Sequence, residues 1–218
     1  MTKAPIAPRL TPLNLHTLAS GTESELHDRG SYEALSFDGC DLEAFNLAGS
    51  SFELCEFLRC NAHNTDVRYA RFIETRFELL SAPVLSARST TWRNCEVHSS
   101  RLGVVEMFDA EISELAIEGS KLGLLNLHSS SISDLSIRDC HIEELVLDNA
   151  TLTRVSFSGV TADKLSLRGA TSRDVDLRGL DFAGIEGIES LKGVTVSSLQ
   201  ATEMAHLFAR HLGISVLG

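Results

Sequence analysis

Residues 30–57 read GSYEALSFDGCDLEAFNLAGSSFELCEF, and every fifth residue in them is apolar: Tyr32, Phe37, Leu42, Leu47, Phe52 and Phe57. The register continues without slipping through Ala62, Val67, Phe72, Phe77, Trp92, Met107, Ile137 and Phe157 to Leu177 and Phe182, and only Ser172 breaks it. Two residues before each of these positions lies a second uncharged one. It is filled by Cys40, Cys55, Ala70, Thr90, Ala110, Ser130, Ala150 and Ala170, or by larger residues such as Leu115, Val155 and Leu165. All charges in the interval fall in the other three slots. A fixed internal period defines a whole architecture and is read before any other signal.

A period of five matches neither the 3.6 of a helix nor the 2 of an ordinary strand. The chain must therefore turn every five residues. Four turns close a square of about twenty residues, and stacked squares put residue n beneath residue n+20 at roughly the 4.8 Å spacing of paired strands. Ladders of like residues follow: Phe37, Phe57 and Phe77 on one wall, Phe52, Phe72 and Trp92 on another, Leu127, Leu147 and Leu167 on a third. An inward ladder of Ser50, Ala70, Thr90, Ala110, Ser130, Ala150 and Ala170 stays small. Glycines 39, 49, 119, 159, 169, 179 and 184 share the slot two residues after the large apolar one, which suits the positive φ of a type II turn.

These residues resemble the pentapeptide repeat family, whose pattern is Ala, then Asp or Asn, then Leu, then two variable residues. The nearest matches are Cys40-Asp41-Leu42, Phe45-Asn46-Leu47, Thr65-Asp66-Val67, Val175-Asp176-Leu177 and Leu180-Asp181-Phe182, while Ala70-Arg71-Phe72 and Ala150-Thr151-Leu152 depart at the middle residue. The resemblance implies an all-β solenoid: a right-handed quadrilateral parallel β-helix of nearly eight coils over residues 30–185, about 37 Å tall before its caps. One scaffold hosts unrelated activities, so fold alone assigns none.

The 218 residues are 43% hydrophobic, enough for one continuous core in which each coil depends on its neighbours. With 30 acidic against 19 basic residues the net charge is −11, which argues against direct nucleic-acid binding. Cys40, Cys55, Cys60, Cys95 and Cys140 all take the inward slot. They read as free core thiols, although Cys40 and Cys60 stack one coil apart, because nothing signals secretion. A cytoplasmic location is the expectation. No apolar leader and no membrane-spanning run is present.

Residues 1–29 fall out of register and form an N-terminal extension and cap. Pro5, Pro8 and Pro12 exclude a helix, and the alternation of Leu13 and Leu15 predicts a strand or turn over Thr11–Leu18 near the bottom coil, with a frayed start. Residues 186–218 form a C-terminal cap. Ser197 and Gln200 spell a capping box opening a helix over about 198–212, stopped by Gly213. Its stripe of Ala201, Met204, Ala205, Phe208 and Leu212 lids the core, leaving Leu199, Leu207, Ile214, Val216 and Leu217 for a second apolar surface. Because quinolone-resistance members of the family dimerise through C-terminal elements, the resemblance implies a homodimer there.

No GxSxG elbow, HExxH helix or glycine-rich phosphate loop occurs, so no catalytic, cofactor-binding or metal site is predicted. His63, His98, His128 and His141 scatter over walls and coils. Two surfaces remain. One is an acidic band of Glu106, Asp109, Glu111, Glu114, Glu118, Asp134, Asp139, Glu143 and Glu144. The other is an apolar ladder of Pro83-Val84, Gly103-Val104 and Gly123-Leu124, beside Arg101, Lys121 and His141 and extended by Phe108. The resemblance implies that the band mimics DNA and contacts DNA gyrase or topoisomerase IV. The ladder instead predicts a non-catalytic adaptor that docks another protein.

Overall fold

The computed structural model describes residues 4–216. The strands pair in parallel, each with the strand one coil away: Trp92 lies between Phe72 and Ile112, and Val104 between Val84 and Leu124. Strands such as Thr91–His98 turn from the first wall into the second within a 13-stranded sheet. Strands such as Arg101–Glu106 turn from the third wall into the fourth within a 7-stranded sheet. The result is a parallel β-solenoid of about nine turns, more than the five-residue register alone marks out. The surplus comes from the ends, where Ala19–Gly21 pairs beneath Leu35–Phe37 and Val194–Thr195 pairs above Val175–Asp176.

The core ladders form because side chains n and n+20 share one wall. Tyr32, Phe52 and Phe72 stack at 5.0 and 5.3 Å, and Phe37, Phe57 and Phe77 at 5.0 and 5.2 Å. Across the corner Phe52 meets Phe57 edge-on at 5.2 Å and 74°, so the two stacks interlock. Each such side chain contributes about 1.5–3 kcal/mol by burial. Higher up, buried Ile112 and Ile132 continue the first column and Ile117 and Ile137 the second. The small inward ladder answers backbone groups at the corners: Ser130 Oγ donates to Met107 O at 3.0 Å and accepts from Ala110 N–H at 3.0 Å. The five cysteines are free and buried, and burial pushes the Cys60 and Cys95 thiols up to about 12.

Most corners turn through a left-handed residue, as at Asn64 (φ 55°), Asp109 (56°), Asn149 (56°) and Gly39 (67°). Gly, Asn and Asp suit that conformation. The edge between the third and fourth walls departs from this rule. Ala44 (58°) and Asn64 turn it in the left-handed form, but none of Val84, Val104, Leu124, Glu144, Lys164 and Gly184 has positive φ. Val84 and Val104 are β-branched, for which left-handed backbone is a steric outlier. The chain instead rounds this edge as continuous strand, in Ser81–Ser86, Arg101–Glu106, Lys121–Asn126 and His141–Val146. Two glycines thus differ from the shared-slot expectation. Gly184 belongs to this edge, and Gly179 is needed for close approach, since a Cβ there would meet Phe157 O at 2.2 Å.

The N-terminal segment also differs from expectation. Residues 4–16 form neither helix nor strand and descend the outside of the first–second edge as a strap. Ile6 N–H donates to Asp174 Oδ1 (3.1 Å), Arg9 N–H to Asp134 Oδ1 (2.8 Å) and Thr11 N–H to Glu114 Oε2 (2.9 Å). Thr11 therefore sits halfway up the rod rather than at the bottom coil, and strand pairing begins only at Ala19. The lengths agree. Three residues of polyproline-like chain, from Ile6 to Arg9, cover about 9.3 Å, against about 9.6 Å for the two coils between Asp174 and Asp134. Pro5, Pro8 and Pro12 favour this path and have no N–H to leave unpaired.

Asp134 anchors the strap. It is 7% exposed, and Arg154 grips both its oxygens at 2.6 Å. The Arg154 guanidinium, helped by the Arg9 N–H, holds its carboxyl below the usual carboxylate range. A folded pKa below the unfolded value contributes stability that is full above the unfolded pKa and lost as pH falls through the folded one. The Arg9 amide resonance is thus expected to hold steady on acidification to about pH 4, the ordinary Asp value, and to move only below it. A midpoint at or above that value contradicts the anchoring.

At the top, Ser197 Oγ accepts from Gln200 N–H (3.1 Å) and Gln200 Oε1 accepts from Ser197 N–H (2.8 Å). Gln200 Nε2 also donates to Leu177 O and Leu180 O, both at 2.8 Å, closing the last coil. The single predicted helix is two, Ser198–Glu203 and Ala205–His211, meeting at Met204. That break rotates the stripe: Met204 is buried and Leu207 and Phe208 half-buried, while Ala201, Ala205 and Leu212 face outward.

Candidate functional site

The acidic residues singled out above do not converge. Glu106 lies on the fourth wall, Asp109 on the fourth–first edge, Glu111 on the first wall, Glu118 on the second and Asp139 on the second–third edge. Glu114 and Asp134 are under the strap. Asp109 faces Arg88 at 3.7 Å and Glu118 faces Arg138 at 3.6 Å. Glu114 and Asp134 stack on successive coils but are covered by the strap, and of the adjoining Glu143 and Glu144 the second pairs with Lys164 at 2.9 Å. The band winds around the rod, because acids spaced along one coil are distributed over several of its walls and edges.

The apolar ladder does converge, at the edge that lacks left-handed turns. A groove of about 810 Å³ opens there, lined by Pro83, Leu102, Gly103, Val104, Gly123 and Leu124 and rimmed by polar side chains. Its floor is bare by necessity: a Cβ on Gly103 would meet Pro83 O at 2.3 Å, and one on Gly123 would meet Gly103 O at 2.7 Å. Strand register pairs the residues on either side of Gly103 and Gly123 but not these two, as at the same position of the coils above. Val104 is 36% exposed and Leu124 half-buried beside it. Val84 lies one coil below Val104 without lining the groove. Phe108 is not part of it either; it sits on the fourth wall with the Arg88 guanidinium 5.2 Å from its ring centre.

One rim is a column of Arg101, Lys121 and His141 in direct register. His141 Nδ1 is within 2.9 Å of Thr161 Oγ1. The upper end is closed by Glu143, Glu144 and Lys164. Lys164 was not among the residues singled out from the sequence, although its slot directly above Glu144 made the pairing readable. At the C-terminal end Leu199 (67%), Leu212 (71%), Ile214 (56%) and Val216 (72%) are exposed in the single chain. Among the described residues no helix is long and apolar enough to cross a membrane.

The family model described as pentapeptide repeats matches residues 36–78. No curated protein matches the sequence. Among solved structures, a trypsin-treated form of QnrB1, a plasmid-mediated fluoroquinolone resistance protein, aligns at 18% identity over 86% of this chain and 100% of its own, with a TM-score of 0.43. HetL, a pentapeptide repeat protein involved in heterocyst differentiation regulation from the cyanobacterium Nostoc, aligns at 14% identity over 78% of this chain and 92% of its own, with a TM-score of 0.35.

Proposed function

We propose that the chain is a pentapeptide-repeat protein that works without catalysis, as a scaffold docking a partner protein in the groove of the third–fourth edge. The observation that carries this reading is the floor kept free of side chains beside exposed Val104, where a Cβ at Gly103 would strike Pro83 O at 2.3 Å. An apolar centre with a polar rim is the anatomy of a protein interface. Val104→Asp, at an exposed position, should leave stability within about 0.5 kcal/mol and weaken the partner about tenfold. A photo-crosslinking residue at position 124, with a control at position 153 on the first wall, provides the test. A partner trapped only from 124 and lost in Val104→Asp supports docking, whereas equal trapping from both positions sinks it.

A second reading, DNA mimicry toward DNA gyrase or topoisomerase IV, draws on the net charge of −11 and on Glu106, Glu111 and Asp139. These three join no ion pair among the described residues. A supercoiling and cleavage assay, with and without a fluoroquinolone, separates the two. Inhibition that survives Val104→Asp favours mimicry, and no effect at any salt removes it for the enzyme tested.

A further inference from the structure

We infer that the groove's occupant is an extended acidic segment of the partner protein, its carboxylates on Arg101 and Lys121 and a branched apolar side chain on Val104 and Leu124. This rests on the docking reading above. Arg101 and Lys121 are exposed and stand on successive coils about 4.8 Å apart. Like charges so close repel; Arg138 is matched by Glu118 and Lys164 by Glu144 and Glu186, and the other unpaired cations of the walls, Arg71, Arg93 and Arg173, have no cation as strand partner among the described residues. Arg101 and Lys121 join no ion pair among the described residues. Their column offers them no acid either, with Ser81 below and His141 and Thr161 above. In a chain with 30 acidic residues, two adjacent unmatched cations beside a bare apolar floor point to an anion supplied from outside.

The groove also limits where that anion sits and what carries it. At the upper end Lys164 is already taken by Glu144 and Glu186 and Glu143 adds an acid, so the carboxylates belong at the level of Arg101 and Lys121. Three coil rises from Ser81 to His141 make about 14 Å, the length of four or five extended residues. With no side chain at 103 and 123, a peptide backbone can lie close against the wall. A nucleic acid would bring its phosphate array against Glu143, Glu144 and the net charge of −11. A peptide alternating carboxylate and aliphatic side chains meets both rims.

Phage-displayed random octapeptides selected against the full chain test this inference, with binding of the selected synthetic peptides then read by fluorescence anisotropy. The expected result is enrichment of paired Asp or Glu beside Leu, Ile or Val. Binding should fall about tenfold in Arg101→Glu/Lys121→Glu, and also with added salt. Arg71→Glu, on the first wall, should leave it unchanged, and melting curves check that each variant is folded. Peptides lost in Val104→Asp but indifferent to the double reversal overturn the acidic assignment and leave groove docking standing. Peptides indifferent to both variants overturn both readings. Absence of any enriched peptide overturns the acidic assignment as well.

Discussion

Phe52→Ala is expected to lower the unfolding free energy by about 3–5 kcal/mol. Phe52 is completely buried and touches three rings: Tyr32 below at 5.0 Å, Phe72 above at 5.3 Å and Phe57 across the corner at 5.2 Å. The substitution empties the middle of that stack. In a solenoid each coil is held only by its neighbours, so the loss falls on the coupling between the lowest coils and the rest. Urea unfolding should show the drop, and amide exchange should rise in the coils of Phe37 to Phe77 while those of Ile132 to Leu152 stay protected. A loss below about 1 kcal/mol, or uniform exchange along the rod, would mean that the aromatic ladder is not what joins these coils.

Gly103→Val is expected to cost about 1–3 kcal/mol through overpacking, and to abolish docking as well. The new Cβ lies 2.3 Å from Pro83 O and 3.0 Å from its carbonyl carbon, both backbone atoms that no rotamer change can clear. The wall must shift, and the added methyl groups then occupy the groove. Gly39 provides the contrast. A Cβ there meets nothing within 4 Å, so Gly39→Ala carries only the strain of its φ of 67°, about 1–2 kcal/mol. Thermal melting gives the cost of each variant, and adding Gly103→Ala, whose Cβ alone meets Pro83 O without the strain of a positive φ, isolates the collision. A fully stable Gly103→Val would show that the bare floor is not enforced by the close coil below.

The solenoid was legible because its cause is strictly periodic. A turn every five residues sends Phe37, Phe57 and Phe77 to one wall whatever the outward residues are, and even Ser172, the one exception, keeps its place, half-buried with an unpartnered hydroxyl. The strap was not legible, since Pro5, Pro8 and Pro12 state that the segment is extended but not which side of the rod it follows. That choice is made by Asp174, Asp134 and Glu114, more than a hundred residues away in sequence. The acidic band was misread in space for a related reason: five acids in one coil are neighbours in sequence but spread over three walls and the two edges between them. The groove was half legible. Val84, Val104 and Leu124 declared the ladder, and Val84 and Val104, the only β-branched residues in the corner slot, also signalled a different turn.

The working surface of the rod is most directly tested by calorimetric titration of the crosslinked partner against two variants of the full chain, Val104→Asp/Leu124→Ser in the groove and Glu106→Lys/Glu111→Lys on the band. Groove docking predicts that the first variant loses affinity by at least about tenfold while the second binds like the parent chain. Loss confined to the second variant would contradict it and move function to the acidic walls.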